Sequence, residues 1–458
     1  MSLWKIAWRS IQQRTLASSL TAVSMALGVM LVVAVLVAGN IVHDSFSIGN
    51  RLGYNIVVGA KGGRLDLLLN SVYYLSRPIE NIPWEYYKEF LPASAHKDGK
   101  AGKYSGYVLE DDPNEKARGL AIPICLGDFL GDEKESFRVV GTPPEMFTKL
   151  MKSKFSSGEV FKSSDFATAV VGAEVASHLH LKVGGDIAPM HGGIGGEVHM
   201  PFKITGILER TGTPSDRAAF VNIEGFFLIP DHARGHVEEV HVPGQPEEKE
   251  EMLKTPLPED QREVTAILIL TASLGGDPAK GIDPNPPEAV APELVKTVNK
   301  ENVAQAIQPV QEINVLMGYL VQPLELIMDA LAVMVVIVAG IGILVSIYNS
   351  MSERRHEIAV MRALGARRNT VMLIVLFESI LLAMGGGLAG WFAGHLLIGL
   401  AGPFVTSSTG IAVGFLQFAP GFELILIPGL IVLASLVGFL PALAAYRTDV
   451  GKALTATP

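Results

Sequence analysis

Ser352-Glu-Arg-Arg-His-Glu-Ile-Ala-Val-Met-Arg-Ala-Leu-Gly-Ala-Arg-Arg368 is a charged island in an otherwise apolar part of the chain. Residues 330–352 hold no Asp, Glu, Lys or Arg, and residues 369–422 hold only Glu378. A hydrocarbon core ~30 Å thick is crossed by roughly 20 apolar residues of helix. Each flank is therefore long enough to span a bilayer, and the island is the loop between two crossings. Two further tracts, 15–42 and 424–446, are equally free of charge. The expectation is an integral membrane protein with four transmembrane α-helices.

Over all 458 residues, 49% are apolar and 18% charged, against about a quarter charged in soluble domains. Short loops rich in Lys and Arg stay in the cytoplasm. Lys5, Arg9 and Arg14 place the N-terminus inside, the island's five arginines place the middle loop inside, and Arg447 and Lys452 do the same for the C-terminus. The connection 401–421 has no basic residue and belongs outside. The apolar run Leu16–Gly39 exceeds the 7–15 residues of a signal peptide, so it reads as an uncleaved anchor. The expected division is 1–42 (cytoplasmic N-terminus and first span), 43–320 (a large α+β extracytoplasmic domain with a stalk, between the first two spans) and 321–458 (spans two to four). A multi-pass protein of the cell's inner membrane follows, with nothing to suggest nucleic-acid binding.

Within 43–320, β-rich runs at Asn55–Val58, Thr168–Val171, Phe202–Leu208 and Ala266–Leu270 are separated by Gly and Pro, as strands between turns should be. Ala173–Leu181 has a helical pattern. Residues 242–262 and 274–292 read as solvated connections. From about Leu294 a helical pattern runs toward the second span, with Pro309 and Pro323 as expected kinks and Glu325 and Asp329 at the outer membrane boundary. Cys125 is the only cysteine, so no intrachain disulfide forms and the domain relies on its own core.

The island reads as a short helix over about 352–366. Gly365 can take the left-handed conformation that closes a helix. Ile358, Met361 and Gly365 line one side, Val360 and Leu364 the adjoining stripe, and Arg354, Arg355 and Arg362 supply charge. A basic amphipathic helix suits an anionic lipid surface or a protein groove equally.

The island, the following Phe377-Glu-Ser379 and Gly385-Gly-Gly-Leu-Ala-Gly390 resemble the FtsX-like permease domain shared by MacB, LolC/LolE and FtsX proteins. Arg354, Glu357, Ile358, Arg362, Ala363, Gly365 and Ala366 match its pattern R-x-x-E-I-x-x-x-R-A-x-G-A. Pro441–Leu454 resembles the family's closing motif, with Val450 where Pro is usual. Val170-Val-Gly-Ala-Glu-Val-Ala176, Leu181–Asp186, Phe202–Leu208 and Thr211-Gly-Thr-Pro-Ser-Asp216 resemble the MacB-like periplasmic core domain. The resemblance implies an ABC transporter permease with mechanotransmission to its outer domain. It also implies that 352–366 is a coupling helix docking on an ABC ATPase, with Arg354, Glu357, Ile358, Met361, Arg362 and Gly365 as coupling residues. The chain has no Gly-x-x-x-x-Gly-Lys-Ser/Thr phosphate loop, and Gly99-Lys-Ala-Gly-Lys103 has the wrong spacing. No catalytic residue and no cofactor are therefore expected in this chain, with ATP and Mg bound by a separate partner subunit. In MacB the ATPase is fused at the N-terminus, whereas about 14 residues precede the first span here. A homodimer, or a heterodimer with a similar permease, is expected, with a periplasmic adaptor as a further partner.

Gly386, Gly390 and Gly394 recur every four residues, a spacing that lets another helix approach closely. They read as packing inside one bundle rather than a dimer face. For Glu378, about 12 Å along the helix from Thr370, the resemblance, which includes a Glu at this position, implies a packing or hinge hydrogen bond rather than a proton relay. The zinc-type spacings His178-x-His180 and His232-x-x-x-His236 are the metal candidates. No Cys or acidic signature completes them, so solvated histidines and no metal are expected. The resemblance favours export or extraction of a lipid-linked, peptide or small-molecule substrate. Regulation of cell-wall hydrolases and metal-linked export are the alternatives.

Overall fold

The computed structural model describes residues 3–46, 52–108, 119–131, 136–191, 198–229, 256–273, 286–353, 355–409, 413–414 and 420–447. The chain divides into two compact units, Met1–Asp44 with Met317–Pro458, and Ser45–Leu316.

The first unit is helical: α1 (Leu3–Gln13), α2 (Thr15–Phe46), α3 (Gln322–Glu353), α4 (Arg355–Ala363), α5 (Arg368–Thr409) and α6 (Pro420–Tyr446). Among the described residues, four segments are long and apolar enough to cross a membrane: Ser18–Ile41, Pro309–Gly342, Arg368–Val405 and Glu423–Leu443. On α2, Met25, Val29, Val33 and Val37 are buried at four-residue intervals, the spacing of one helix face. They form one cluster with Val371, Val375 and Ala383 of α5 and Ala434 and Ala442 of α6. The basic start of the chain is itself a helix. α1 buries Ala7 and Ser10 and sets Trp4 edge-on to Phe377 of α5, with ring centroids 6.1 Å apart. Trp4 and Trp8 stay half exposed, as indoles at a membrane boundary do.

Among the described residues the second unit has twelve strands: β1 (Ile56–Ala60), β2 (Ile82–Pro83), β3 (Leu120–Gly131), β4 (Ser136–Thr142), β5 (Phe155–Gly158), β6 (Thr168–Val171), β7 (Asp186–Ile187), β8 (Phe202–Leu208), β9 (Ala218–Asn222), β10 (Glu263–Val264), β11 (Ala266–Leu270) and β12 (Ala304–Ile307). Ten form a mixed sheet in the order β12-β1-β11-β3-β4-β9-β6-β8-β5, with β7 on β8, and β10 pairs with β2. The β4–β9 and β6–β8 pairs are parallel and the rest antiparallel. β3 belongs to both halves of this sheet. Leu120–Ile124 pair with β11, and Cys125–Gly131 pair with β4 across a bulge between Leu126 and Phe129. All five residues of β9 are buried, as in strands covered on both faces. β8 instead alternates buried and open positions, the period-two signature of a half-covered strand.

The helical pattern from Leu294 is not one stalk helix. The helix Pro287–Asn299 lays Ala291, Leu294 and Val298 into the core and ends where Asn299 takes over backbone pairing. Its Oδ1 accepts from Ala306 N at 2.8 Å and its Nδ2 donates to Ala306 O at 3.0 Å. The chain returns as β12, which pairs with β1. Pro309 then opens the helix Pro309–Leu316, the position where a missing N–H costs nothing. Ahead of Pro323 the helix widens to a π-turn over Met317–Val321. A proline ring clashes with the carbonyl four residues back, and widening the turn is one way to relieve it.

The Thr211–Asp216 motif is a turn organised by one carboxylate. Asp216, 7% exposed, accepts from Thr211 N at 2.9 and 3.1 Å, Thr211 Oγ1 at 2.9 Å and Gly212 N at 2.8 Å. Gly212 sits at φ +67°, a conformation glycine adopts at least cost.

Candidate functional site

α4 is a nine-residue helix with a complete left-handed closure. Gly365 lies at φ +101°, its N–H donates to Arg362 O at 3.1 Å, and Ala366 N donates to Met361 O at 3.0 Å. This paired arrangement satisfies carbonyls that a helix end otherwise leaves open. Ile358 and Ala359 are buried, and Ile358 joins the cluster that contains Val371 and Val375 of α5. Met361 packs against the same cluster. Of the coupling residues that the family resemblance implies, Ile358 and Met361 thus pack against the chain's own helices. The outward apolar positions are Val360, 39% exposed, and Leu364, 84% exposed. Arg362 is half-buried. Arg354 lies outside the described residues, as does the side chain of Glu357.

The three spaced glycines face α2. A Cβ at Gly386 would lie 2.7 Å from Ala22 O, one at Gly390 2.4 Å from Ala26 O, and one at Gly394 2.9 Å from Val33 Cβ. Only a hydrogen fits there, so the glycines set the approach of α2 and α5 within the chain. Glu378 is buried on α5 and accepts from Ser10 Oγ of α1 at 3.2 Å. A second polar group within the helices was not legible in the sequence. Glu423 of α6 accepts from Trp391 Nε1 at 3.2 Å and lies 3.2 Å from Nε2 of His395, which is 3% exposed. His395 Nδ1 lies 3.0 Å from Trp391 O. Polar groups inside a membrane bundle pair with one another in this way.

In the sheet unit, His178 and His180 are exposed. The His178 ring packs edge-on to Phe137 at 5.6 Å, and His180 sits at φ +54°. Neither joins a group of three or more metal-ligating side chains among the described residues. His232 and His236 lie outside the described residues.

A bundle of bilayer-length helices, a short capped helix between two of them and a large sheet unit together define a polytopic membrane protein with a substantial folded insertion. A family model for the MacB-like periplasmic core domain matches residues 18–255, and one for the FtsX-like permease C-terminal domain matches residues 330–450. The chain belongs to this family of ABC transporter permeases. Among curated relatives, it is 33% identical over 141 residues to the macrolide export ATP-binding/permease protein MacB of Agrobacterium fabrum, covering 29% of this chain and 20% of that one. It is 33% identical over 132 residues to the pyoverdine export ATP-binding/permease protein PvdT of Pseudomonas fluorescens, covering 29% and 19%. The MacB 1/2 protein of Paracoccus denitrificans is 32% identical over 142 residues, covering 29% and 19%. The matched stretch thus spans about a fifth of these relatives. A crystallised domain of a Porphyromonas gingivalis permease protein aligns at 13% identity with a TM-score of 0.22, covering 44% of this chain and 81% of that one.

Proposed function

We propose that the chain is the membrane-spanning subunit of an ABC exporter and that α4 is its coupling helix, docking on a separate ATP-hydrolysing subunit. That subunit binds ATP and Mg, and this chain contributes no catalytic group. Its N- and C-termini and α4 face the cytoplasm of the inner membrane, and the sheet unit lies on the other side. The observation that carries the reading is the pair Val360 and Leu364, apolar and exposed on a rigidly capped helix flanked by arginines. The relatives named for macrolide and pyoverdine export support a small-molecule, peptide or lipid-linked substrate. Only 6% of the apolar 18-residue stretch within Pro309–Gly342 is buried within the chain, which supports pairing of this span with a second permease, identical or similar. ATP-driven closure of the ATPases beneath α4 then moves the spans and, through them, the sheet unit, where an adaptor can dock.

The test separates the two faces of α4. Val360→Asp and Leu364→Asp should leave abundance in the membrane unchanged and reduce co-purification of the ATPase at least about tenfold, the equivalent of about 1.4 kcal/mol. Glu357→Ala and Arg362→Ala should act the same way, since truncating one partner of a buried charge pair costs about 2–5 kcal/mol of binding. Ile358→Asp should instead lower abundance, because it buries a charge among the chain's own helices. Normal ATPase assembly in both outward-face variants would transfer α4 to the lipid surface.

A further inference from the structure

We propose that Asp128, His191 and His199 of the sheet unit form a binding site for a zinc-class divalent cation. The proposal does not depend on the coupling role of α4.

The backbone builds the group. Asp128 lies in the β3 bulge, between the register positions Leu126 and Phe129. A bulge re-aims side chains that a regular strand would alternate, and here the Asp128 carboxylate is fully buried. Met190 is bridged to Phe129 on one side and to Val198 on the other. Its N–H donates to Phe129 O at 2.8 Å, and its carbonyl accepts from Phe129 N at 3.1 Å. The residue after each Met190-bridge member, His191 and His199, therefore arrives at Asp128. His199 is fixed further by its N–H donating to Pro189 O at 2.9 Å.

The spacing is that of ligands around a shared ion. His191 Nδ1 lies 3.3 Å from Asp128 Oδ1, and His199 Nε2 lies 3.6 Å from Asp128 Oδ2. The three ligand atoms lie within 4.8 Å of one another. Zn–N and Zn–O bonds of about 2.0–2.1 Å at a tetrahedral angle put neighbouring ligand atoms about 3.3 Å apart. A charge-assisted imidazole–carboxylate hydrogen bond would instead draw one nitrogen to about 2.7–2.9 Å. His191 Nδ1 is within hydrogen-bonding reach of Asp128 Oδ1, yet both imidazoles stand at the longer, ligand-like separation, each on a different carboxylate oxygen. The nearby Arg138 guanidinium lies within electrostatic reach of Asp128 and is held by further contacts of its own. It donates to Gly127 O at 3.4 Å and Ser76 O at 2.9 Å and lies 4.1 Å over the Phe129 ring.

Two imidazoles and one carboxylate favour zinc and its transition-metal neighbours over calcium or magnesium, which take oxygen ligands. The His199 side chain is 5% exposed and that of His191 is 50% exposed. The group is thus walled on one side and open on the other, where a water or an incoming side chain can complete four-coordination. Bound metal would tie His191 and His199 to β3 at the junction between the two halves of the sheet.

The test uses the full chain in detergent, purified through a tag without histidine, stripped with chelator and titrated with Zn2+. Wild type should take up one equivalent and unfold at a higher temperature with Zn2+ than with chelator, as binding to the folded state alone requires. His191→Ala removes a half-exposed ring, so in chelator it should unfold where wild type does. It should bind Zn2+ at least about tenfold more weakly and lose the thermal shift. Asp128→Asn should behave likewise toward Zn2+, whereas His178→Ala combined with His180→Ala should retain both uptake and shift. Absence of stoichiometric uptake by wild type, or equal uptake by His191→Ala, would overturn the site and leave the group as a buried Asp–His cluster.

Discussion

Replacing Asp216 with Ala removes the acceptors for the N–H groups of Thr211 and Gly212 and for the Thr211 hydroxyl together. Hydrogen bonds to a charged acceptor contribute about 1.5–3 kcal/mol each. The variant should therefore lose at least about 2 kcal/mol of stability, read as a lower unfolding midpoint of the full chain. Retention of wild-type stability would mean that the turn holds without its carboxylate. In the sequence the six-residue stretch stood out only through its family resemblance, and the role of this carboxylate in the turn was not read. Asp128 was not legible either, since His191 is 63 residues away in sequence and only the Met190 bridges unite them. The His395–Glu423 pair was hidden for the same reason, with its members on two different helices. Gly365 was readable because a helix closure is local, while the inward turn of Ile358 depends on where α5 lies.

At the scale of elements, the glycine positions on α5 make different demands. Gly390→Leu would drive a side chain into Ala26 O and Val29 Cβ, 2.4 and 2.8 Å from the new Cβ. Backbone cannot retreat as a flexible side chain can, so the cost should reach or exceed the ~1–3 kcal/mol of ordinary overpacking. Gly385→Leu, five residues away on the same helix, meets nothing within 4 Å and should be tolerated. Thermal aggregation of the two variants in detergent compares them, and equal behaviour would contradict close packing of α2 on α5. The four-residue spacing announced a helix contact, but the identity of the opposing helix is a tertiary fact. The apolar tracts were legible as elements because the bilayer imposes length and charge rules on sequence. α1 was missed because its charges also fit a simple cytoplasmic tail.

For the whole molecule, the lone cysteine makes sidedness measurable. Cys125 is buried in β3 with its Sγ 3.5 Å from Glu263 O, and burial pushes its thiol well above the ordinary range. The thiolate is the reactive form, so the native chain should give little background with a maleimide. In intact cells an impermeant maleimide should label Lys182→Cys, an exposed position of the sheet unit, and should spare Asn369→Cys until the membrane is opened. The reverse pattern would invert the proposed topology. The charge bias of the loops gives this expectation directly from sequence. The strand order does not follow from sequence, because β1 finds its neighbours β11 and β12 more than two hundred residues later, and no local pattern encodes such pairings.

The seam between α2 and α5 also sets a stride. Gly386, Gly390 and Gly394 receive Met25, Val29 and Val33 in turn, like teeth entering successive notches. Four residues of helix advance about 6 Å. A shorter axial slide would lift each tooth onto the rim beside its notch, where the backbones stand too close to admit it. The two helices can tilt about this seam or jump by a whole notch. A gradual piston movement of one past the other would meet close contact between each notch and the next.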